Sequence, residues 1–334
     1  MKIDCLYTTL ALVITTSTLL AKPSNKWKEL TQQVEKAGGI IQFDDTGNPT
    51  SLDLYNGNNP LKGRGGKNTA VNDEWLKKIR DLTTLKSLSL SNCAVTDAGM
   101  EHVGTLTGLE SLNLTLTAIT DAGFVHFGKL TKLKSIGMAS SKSTGTGFQH
   151  LKVKNLDNTN FHFTPLNDTG LKEICNVGIT GRLWFAHAHF TDKGAQHLSK
   201  LTQLKALGIG STEKESSGEA IAHIVNLPLE DLSLLDKQAD SVGVHYASKI
   251  KTLKKLDISY APKLTDKDVT ALASMPSLEQ LRIGGSKNIT DAGIAHFANS
   301  KSLKKLTLQR LKSVSAEAID KLSKARPELE IISK

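Results

Sequence analysis

The residues that could do chemistry recur at fixed offsets. His102, His126, His150, His197 and His296 each stand three positions after a glycine. Asp97, Asp121, Asp168, Asp192, Asp266 and Asp291 each follow a threonine or asparagine. Columns of imidazoles suggest zinc and columns of carboxylates suggest calcium, but a metal requires its ligands to converge within about 2 Å of one point. One histidine per turn of a growing array gives a diverging column, so these imidazoles read as repeat-encoded and half-buried. The aspartates read as first-turn residues of helices. There a carboxylate meets the positive end of the helix dipole, and the preceding Thr or Asn is a good N-cap.

Other reactive patterns fail on detail. Gly63 to Asn68 (GRGGKN) suggests a phosphate loop, yet Leu61 stands where the first Walker glycine belongs and Asn68 replaces the final Ser/Thr. No serine lies in GxSxG, and no cysteine has a signature pairing with histidine. The expectation is a protein without enzymatic activity, metal or cofactor.

The elements that position these residues are repeats. LKSLSLSNCAVTDAGMEHVGTL from Leu85 is followed by LESLNLTLTAITDAGFVHFGKL from Leu109, an offset of about 24 residues. Apolar pairs continue along the chain: Leu88/Leu90, Leu112/Leu114, Ile136/Met138, Thr159/Phe161, Leu183/Phe185, Leu207/Ile209, Leu232/Leu234, Leu256/Ile258, Leu281/Ile283 and Leu306/Leu308. Each brackets one outward residue, the period-two mark of a strand. Helix starts follow at Thr96, Thr120, Asn167, Thr191, Thr265, Thr290 and Ser315, and inward helix residues come at glycine plus one and plus four, as in Phe124/Phe127. Repeats at Ser143–Gly145 and Ser211–Gly218 are degenerate, spacing lengthens to about 25 residues after Leu253, and Glu328–Ile331 reads as a last edge strand.

Around the repeats the chain divides as follows. Residues 1–21 read as a secretory signal peptide, with Lys2 before an apolar run from Leu6 to Leu20 that is too short to span a bilayer comfortably. Residues 22–55 read as a cap of one amphipathic helix (Trp27, Leu30, Val34, Ala37) and a hairpin, 56–70 as an inserted Gly/Asn/Lys loop, and 71–334 as the repeats. Cys93 and Cys175 fall three repeats apart, roughly 15 Å, which excludes a disulfide. The +9 net charge comes mostly from lysine spread end to end. That is solvated repeat surface rather than the basic block of a nucleic-acid-binding tail.

LxxLxLxxxxITDAGxxHLxxLTxL resembles the leucine-rich repeat, specifically the ITDAG-bearing subtype close to the cysteine-containing repeats of F-box receptor proteins. With its leader and cap, the chain from Trp27 to Lys334 resembles secreted bacterial leucine-rich-repeat proteins of the planctomycete type. The resemblance implies an α/β horseshoe, a solenoid with a parallel sheet on the concave face and helices on the convex one. It also implies macromolecular binding.

On that concave face one outward column reads Ser89, Asn113, Gly137, Asn160, Trp184, Gly208, Ser233, Asp257, Arg282, Thr307, and the one before it runs from Ser87 through Arg182, Ala206 and Asp231 to Lys305. Its N-terminal third is small and hydroxylated, its C-terminal third charged, and its centre holds a large aromatic. Trp184 beside Arg182, Asn160, His162 and His187 has the makings of an interface hot spot, and the indole could equally stack on a sugar ring. A register shift of one would instead bury Trp184 and expose Phe185. The small residues Gly137, Ala139, Gly208, Gly210, Gly284 and Gly285 suggest an open, shallow face. The expected partner-binding residues are Asn160, His162, Arg182, Trp184, His187, Asp257 and Arg282. The expected role is a secreted or envelope scaffold that binds a protein, not nucleic acid, and is not integral to the membrane. The alternatives are a receptor for an anionic polysaccharide and, if the N-terminus is no signal, a substrate-recognition adaptor of the F-box type.

Overall fold

A computed structural model describes residues 24–55 and 66–334. The proposed leader and the phosphate-loop-like stretch up to residue 65 lie outside the described residues. The chain opens with helix α1 (Lys28–Lys36), which buries Leu30 and Val34. The hairpin β1 (Ile40–Phe43) and β2 (Pro49–Asp53) follows, pairing antiparallel. Its turn is held by Asp44, whose carboxylate accepts the N–H groups of Thr46 (3.0 Å) and Asn48 (2.9 Å).

Then the repeats begin. In chain order the strands are β3 (Asn68–Asn72), β4 (Ser87–Ser89), β5 (Cys93–Ala94), β6 (Ser111–Asn113), β7 (Ser135–Gly137), β8 (Leu156–Asn160), β9 (Ile179–Ala188), β10 (Ala206–Ser211), β11 (Asp231–Leu234), β12 (Lys255–Ile258), β13 (Gln280–Gly284), β14 (Lys305–Gln309) and β15 (Glu330–Ser333). All but β3 and β5 join β1 and β2 in one 13-stranded sheet, parallel from β2 onward. β3 starts inside the stretch read as the end of the insertion, because Asn68 is buried there and its side-chain amide donates to the carbonyls of Ala37 and Leu54. The last strand begins at Glu330 rather than Glu328, since the N–H of Leu329 closes a turn on Arg326.

Register follows the apolar column: Leu88, Leu112, Ile136, Thr159, Leu183, Leu207, Leu232, Leu256, Leu281 and Leu306 align across neighbours. Under the sheet they meet Met100, Phe124, Phe148, Leu171, Ile221 and Val244 from the convex side, all buried. Thr159 is the polar exception; its hydroxyl is buried without a hydrogen-bond partner. The convex segments are short, with 3-10 geometry at Asp121–Lys129 and Gly218–Ile224 and longer α-helices at Asp168–Val177 and Ala316–Ala325.

The Thr-Asp-x-Gly phrase is explained by contacts between repeats. Each aspartate reaches forward to the next repeat. Asp97 accepts from Thr120 N–H (2.8 Å) and hydroxyl (2.5 Å), Asp168 from Thr191 (2.6 and 2.7 Å), and Asp266 from Thr290 (2.7 and 2.7 Å). The glycine two residues after that aspartate's own position leaves space for the carboxylate of the previous repeat; a methyl on Gly123 would stand 2.8 Å from Asp97 Oδ1. The aspartates are therefore latches between layers as well as first-turn residues. Neither column gathers a metal site: no group of three or more His, Cys, Asp or Glu among the described residues could hold an ion. His126, His150 and His296 are exposed rather than half-buried, because the very next residue (Phe127, Leu151, Phe297) takes the inward slot.

Candidate functional site

The register of β9 places Leu183 and Phe185 in the core and turns Trp184 outward, half-buried. Of the two registers open in the sequence, this is the one with the aromatic on the concave face. The indole does not stand upright. A Cβ built on Gly208, directly opposite on β10, would run into ring atoms Cε2 and Cδ2 and lie 2.8 Å from Cζ2. One face of the indole thus rests on the Gly208 backbone, and only a residue without a side chain permits that approach.

Two more side chains lean the same way. Arg182 crosses Ala206 toward Asp231 of β11, with Nη2 3.9 Å from Oδ2, and its Cζ lies 5.5 Å from the Trp184 ring centroid. His187 crosses Gly210 toward Asp236, which accepts its backbone N–H (2.6 Å) and faces its Nδ1 (3.2 Å). β10 presents only Ala206, Gly208 and Gly210 on this face, and all three are buried beneath the neighbours that bridge over them. Here the small residues of β10 are covered by neighbouring side chains and leave no open floor of their own. β9 forms a ridge whose side chains are held from β10 and β11.

At the sheet rim, His187 stacks on Phe163 (centroids 4.4 Å apart, planes 14° apart). Both sit at left-handed φ, +55° for Phe163 and +53° for His187. That conformation recurs along the rim, at Asn92, Leu116, Ser140, Asp236 and Arg310, so it belongs to the repeat. Phe163 remains 42% exposed and Tyr260 70% exposed on the same rim. His162 lies beside this stack, its ring centroid 5.9 Å from that of Phe163. Burial, together with the nearby His187 and against the attraction of Asp236, pushes its pKa down to about 4. It is neutral near pH 7, with Nδ1 buried and without a hydrogen-bond partner. Burial also raises the Asp231 carboxyl above its ordinary value, opposed by Arg182 and Lys255 and reinforced by Asp257.

The expected residues therefore divide. Asn160, His162, Arg182, Trp184 and His187 come together on β8 and β9, although Asn160 spends its side-chain oxygen on the N–H of His162 (2.9 Å). Asp257 and Arg282 form their own ion pair (3.2 Å), three and four strands from Trp184, at least roughly 14 Å away. Phe163 and Asp236 were missed. Phe163 lies just beyond β8, where alternation ends, and Asp236 is 49 residues from the histidine it holds, so neither had a local signal.

Comparison with known proteins gives the following. Residues 81–103 and 249–273 match the family model described as leucine rich repeat. No curated protein matches the chain. Among solved structures, the chain is similar to one from the Rad7 and Elc1 complex of yeast (14% identity, 79% of this chain and 84% of that one, TM-score 0.45). It is also similar to an internalin of Listeria monocytogenes (13% identity, 95% and 98%, TM-score 0.45). The parallel sheet with its helices is a leucine-rich-repeat solenoid, left open at both ends of the sheet. Among the described residues no helix is long and apolar enough to cross a membrane.

Proposed function

We propose that the chain is a secreted or envelope scaffold that binds a protein partner through the β9 ridge on its concave face, without catalysis. The observation that carries this reading is the fixing of Trp184, Arg182 and His187 before any partner arrives, by Gly208, Asp231 and Asp236 respectively. An interface residue held in one geometry loses little conformational entropy on binding, and Trp and Arg at the centre of a concave face are the types that dominate interface energetics. Phe163 and His187 extend the same surface to the rim. Asp257 and Arg282 already satisfy one another, so they are peripheral to this reading.

The test is a pull-down from envelope and extracellular material with the native chain, set beside an Arg182→Ala, Trp184→Ala variant. A partner retained by the first and lost by the second supports the ridge. Equal retention by both would place binding elsewhere. The glycan reading is favoured only by the flat indole. It would show as loss of polysaccharide binding on Trp184→Ala.

A further inference from the structure

The two ends of the solenoid are finished differently. At the N-terminal end α1 and the β1–β2 hairpin cover the first layer, and Leu52, Leu54 and Val71 are fully buried there. At the other end β15 is last in the sheet and pairs only with β14. The inward residues of this last layer are covered less well than their counterparts. Val314 stands where Ile289 and Leu264 stand in the two preceding repeats, and Ile319 where Ile294 and Val269 stand. Those four are fully buried, whereas Val314, Ile319 and Ile331 are half-buried. A hollow of about 170 Å3, lined among others by Leu308, Leu311, Val314, Ile319 and Ser333, lies in the same layer. A terminal repeat ordinarily turns a polar outer face to water, and an open strand edge offers its backbone groups for pairing.

The outer edge of β15 has a definite pattern. The N–H groups of Glu330 and Lys334 donate inward to the carbonyls of Lys304 and Leu308, and the Lys334 carbonyl accepts from Arg310. Successive residues of a strand turn these groups to opposite sides, so the N–H and C=O of Ile331 and Ser333 point away from the sheet. The side chains alternate between the two faces. Ile332 aligns with Thr307 and so extends the outward concave column. From Ser89 to Thr307 that column holds no aliphatic side chain, and at its end stands an isoleucine. Glu330 and Lys334 lie on the same face as Ile332, one to either side.

We propose that β15 pairs with β15 of a second copy of this chain, antiparallel about a two-fold axis at Ile332, joining two 13-stranded sheets into one. Centred there, Ile331 faces Ser333 of the other copy and the reverse, and the two pairs exchange four main-chain hydrogen bonds. Glu330, which already holds Lys305 (2.7 Å), then faces Lys334 of the other copy. The two Ile332 side chains meet at the axis as a close, non-hydrogen-bonded pair. The neighbouring registers are poorer. Centred on Ile331 or on Ser333, one bonded pair forms within the strand, and Ile332 is set against Glu330 or against Lys334. β1 is also a poorer mate for β15. Its register slips between Gln42 and Phe43, and a bulge turns an edge away from further pairing. A contact of β15 with β1 is moreover heterologous and propagates instead of closing. The self-pairing is separate from the β9 ridge and does not depend on it.

The experiment is light scattering over a dilution series of the full chain, 36.1 kDa as a monomer. The expected result is a species of twice that mass that dissociates on dilution. Ile332→Lys opposes two ammonium groups at the axis, and Ser333→Pro removes an outward N–H that the single sheet does not use. Each should weaken the dimer about tenfold or more with unchanged far-ultraviolet dichroism. Ile40→Lys, the same kind of change on the exposed isoleucine of β1, should leave it unaltered. Cα atoms of a non-hydrogen-bonded pair lie about 4.5 Å apart, so Ile332→Cys should give a disulfide-linked dimer on mild oxidation, beyond any linkage of the native chain. Thr307→Cys, one strand further in, should not. A native chain still monomeric at about 100 µM would overturn the proposal. So would a dimer that survives both β15 variants, or assemblies that keep growing with concentration.

Discussion

Replacing Asp121 by asparagine tests the latch between repeats where it is most heavily used. In the degenerate repeat that follows, the Asp121 carboxylate accepts from Ser143 Oγ (2.7 Å), Thr144 N–H (2.9 Å), Thr144 Oγ1 (2.7 Å), Gly145 N–H (3.1 Å) and Gly147 N–H (3.0 Å). Burial raises this carboxyl, but the bonds from Thr144, Ser143 and Gly147 outweigh it and hold the group below its ordinary value of 3.8. An asparagine keeps one acceptor oxygen and turns an NH2 toward the other donors. At least one backbone N–H is then orphaned and the remaining bonds lose their charge assistance. Bonds to a charged group are worth about 1.5–3 kcal/mol each and are not additive, so we expect Asp121→Asn to cost about 2–3 kcal/mol.

In a solenoid this loss falls on one nearest-neighbour interface, so urea unfolding should shift to lower denaturant and also broaden, as the two halves uncouple. Amide exchange at Thr144, Gly145 and Gly147 should accelerate. The pH dependence has a definite sign. The group is depressed in the folded state, so its stabilisation is complete above the unfolded value of 3.8 and is lost as pH falls below it, and the asparagine variant lacks that acid limb. A variant within about 0.5 kcal/mol of the native chain, with unchanged exchange at those amides, would refute the latch.

Four further outcomes are expected. Thr159→Val removes a buried, unpartnered hydroxyl at nearly constant volume and should stabilise the chain by about 1 kcal/mol in urea titrations. Gly208→Ala should lift the Trp184 indole while leaving the fold intact, seen as a red-shifted tryptophan emission with unchanged far-ultraviolet dichroism. His162, held near 4 when folded, should leave the chain progressively less stable as pH falls from 6.5 toward 4, since the unfolded chain takes the proton first. His162→Gln should flatten that slope. Cys175, buried with its thiol pushed up to about 12, should resist thiol reagents at pH 8 until the chain unfolds; prompt labelling in the native state would contradict its placement.

How much of this was legible depended on the range of the interactions. Strand positions, the inward column and the N-caps were readable because each is fixed by residues within one repeat, whereas the apolar run Leu183-Trp184-Phe185 left two registers open that only pairing with β10 closes. Interactions between repeats were harder to read. The aspartate column could be assigned to helix starts, because that duty needs only its own helix. Its forward reach to Thr120 or Thr191 needs the neighbouring layer in place. The flattening of Trp184 onto Gly208 was hidden for the same reason. A glycine in an outward column signals space, and the sequence does not say which neighbour occupies it.

The same distinction locates function in this architecture. The inward residues of each repeat are constrained by stacking and carry little information about a ligand, whereas each outward position is free to vary without cost to the layer beneath it. A site arises only where outward residues of several repeats act together. β9 to β11 provides that coincidence: an aromatic, a cation and an imidazole on one strand, three small residues on the next, and two carboxylates just beyond. The residues just before successive strands show the converse, Glu110 with Lys134, Glu230 with Lys254 and Glu279 with Lys304 cancelling in pairs. Each surface is defined by what its neighbouring repeats leave uncompensated. Variants should therefore be judged in pairs across strands: Trp184→Ala with Gly208→Ala should show strong non-additivity in partner binding, while Trp184→Ala with Lys301→Glu should be additive.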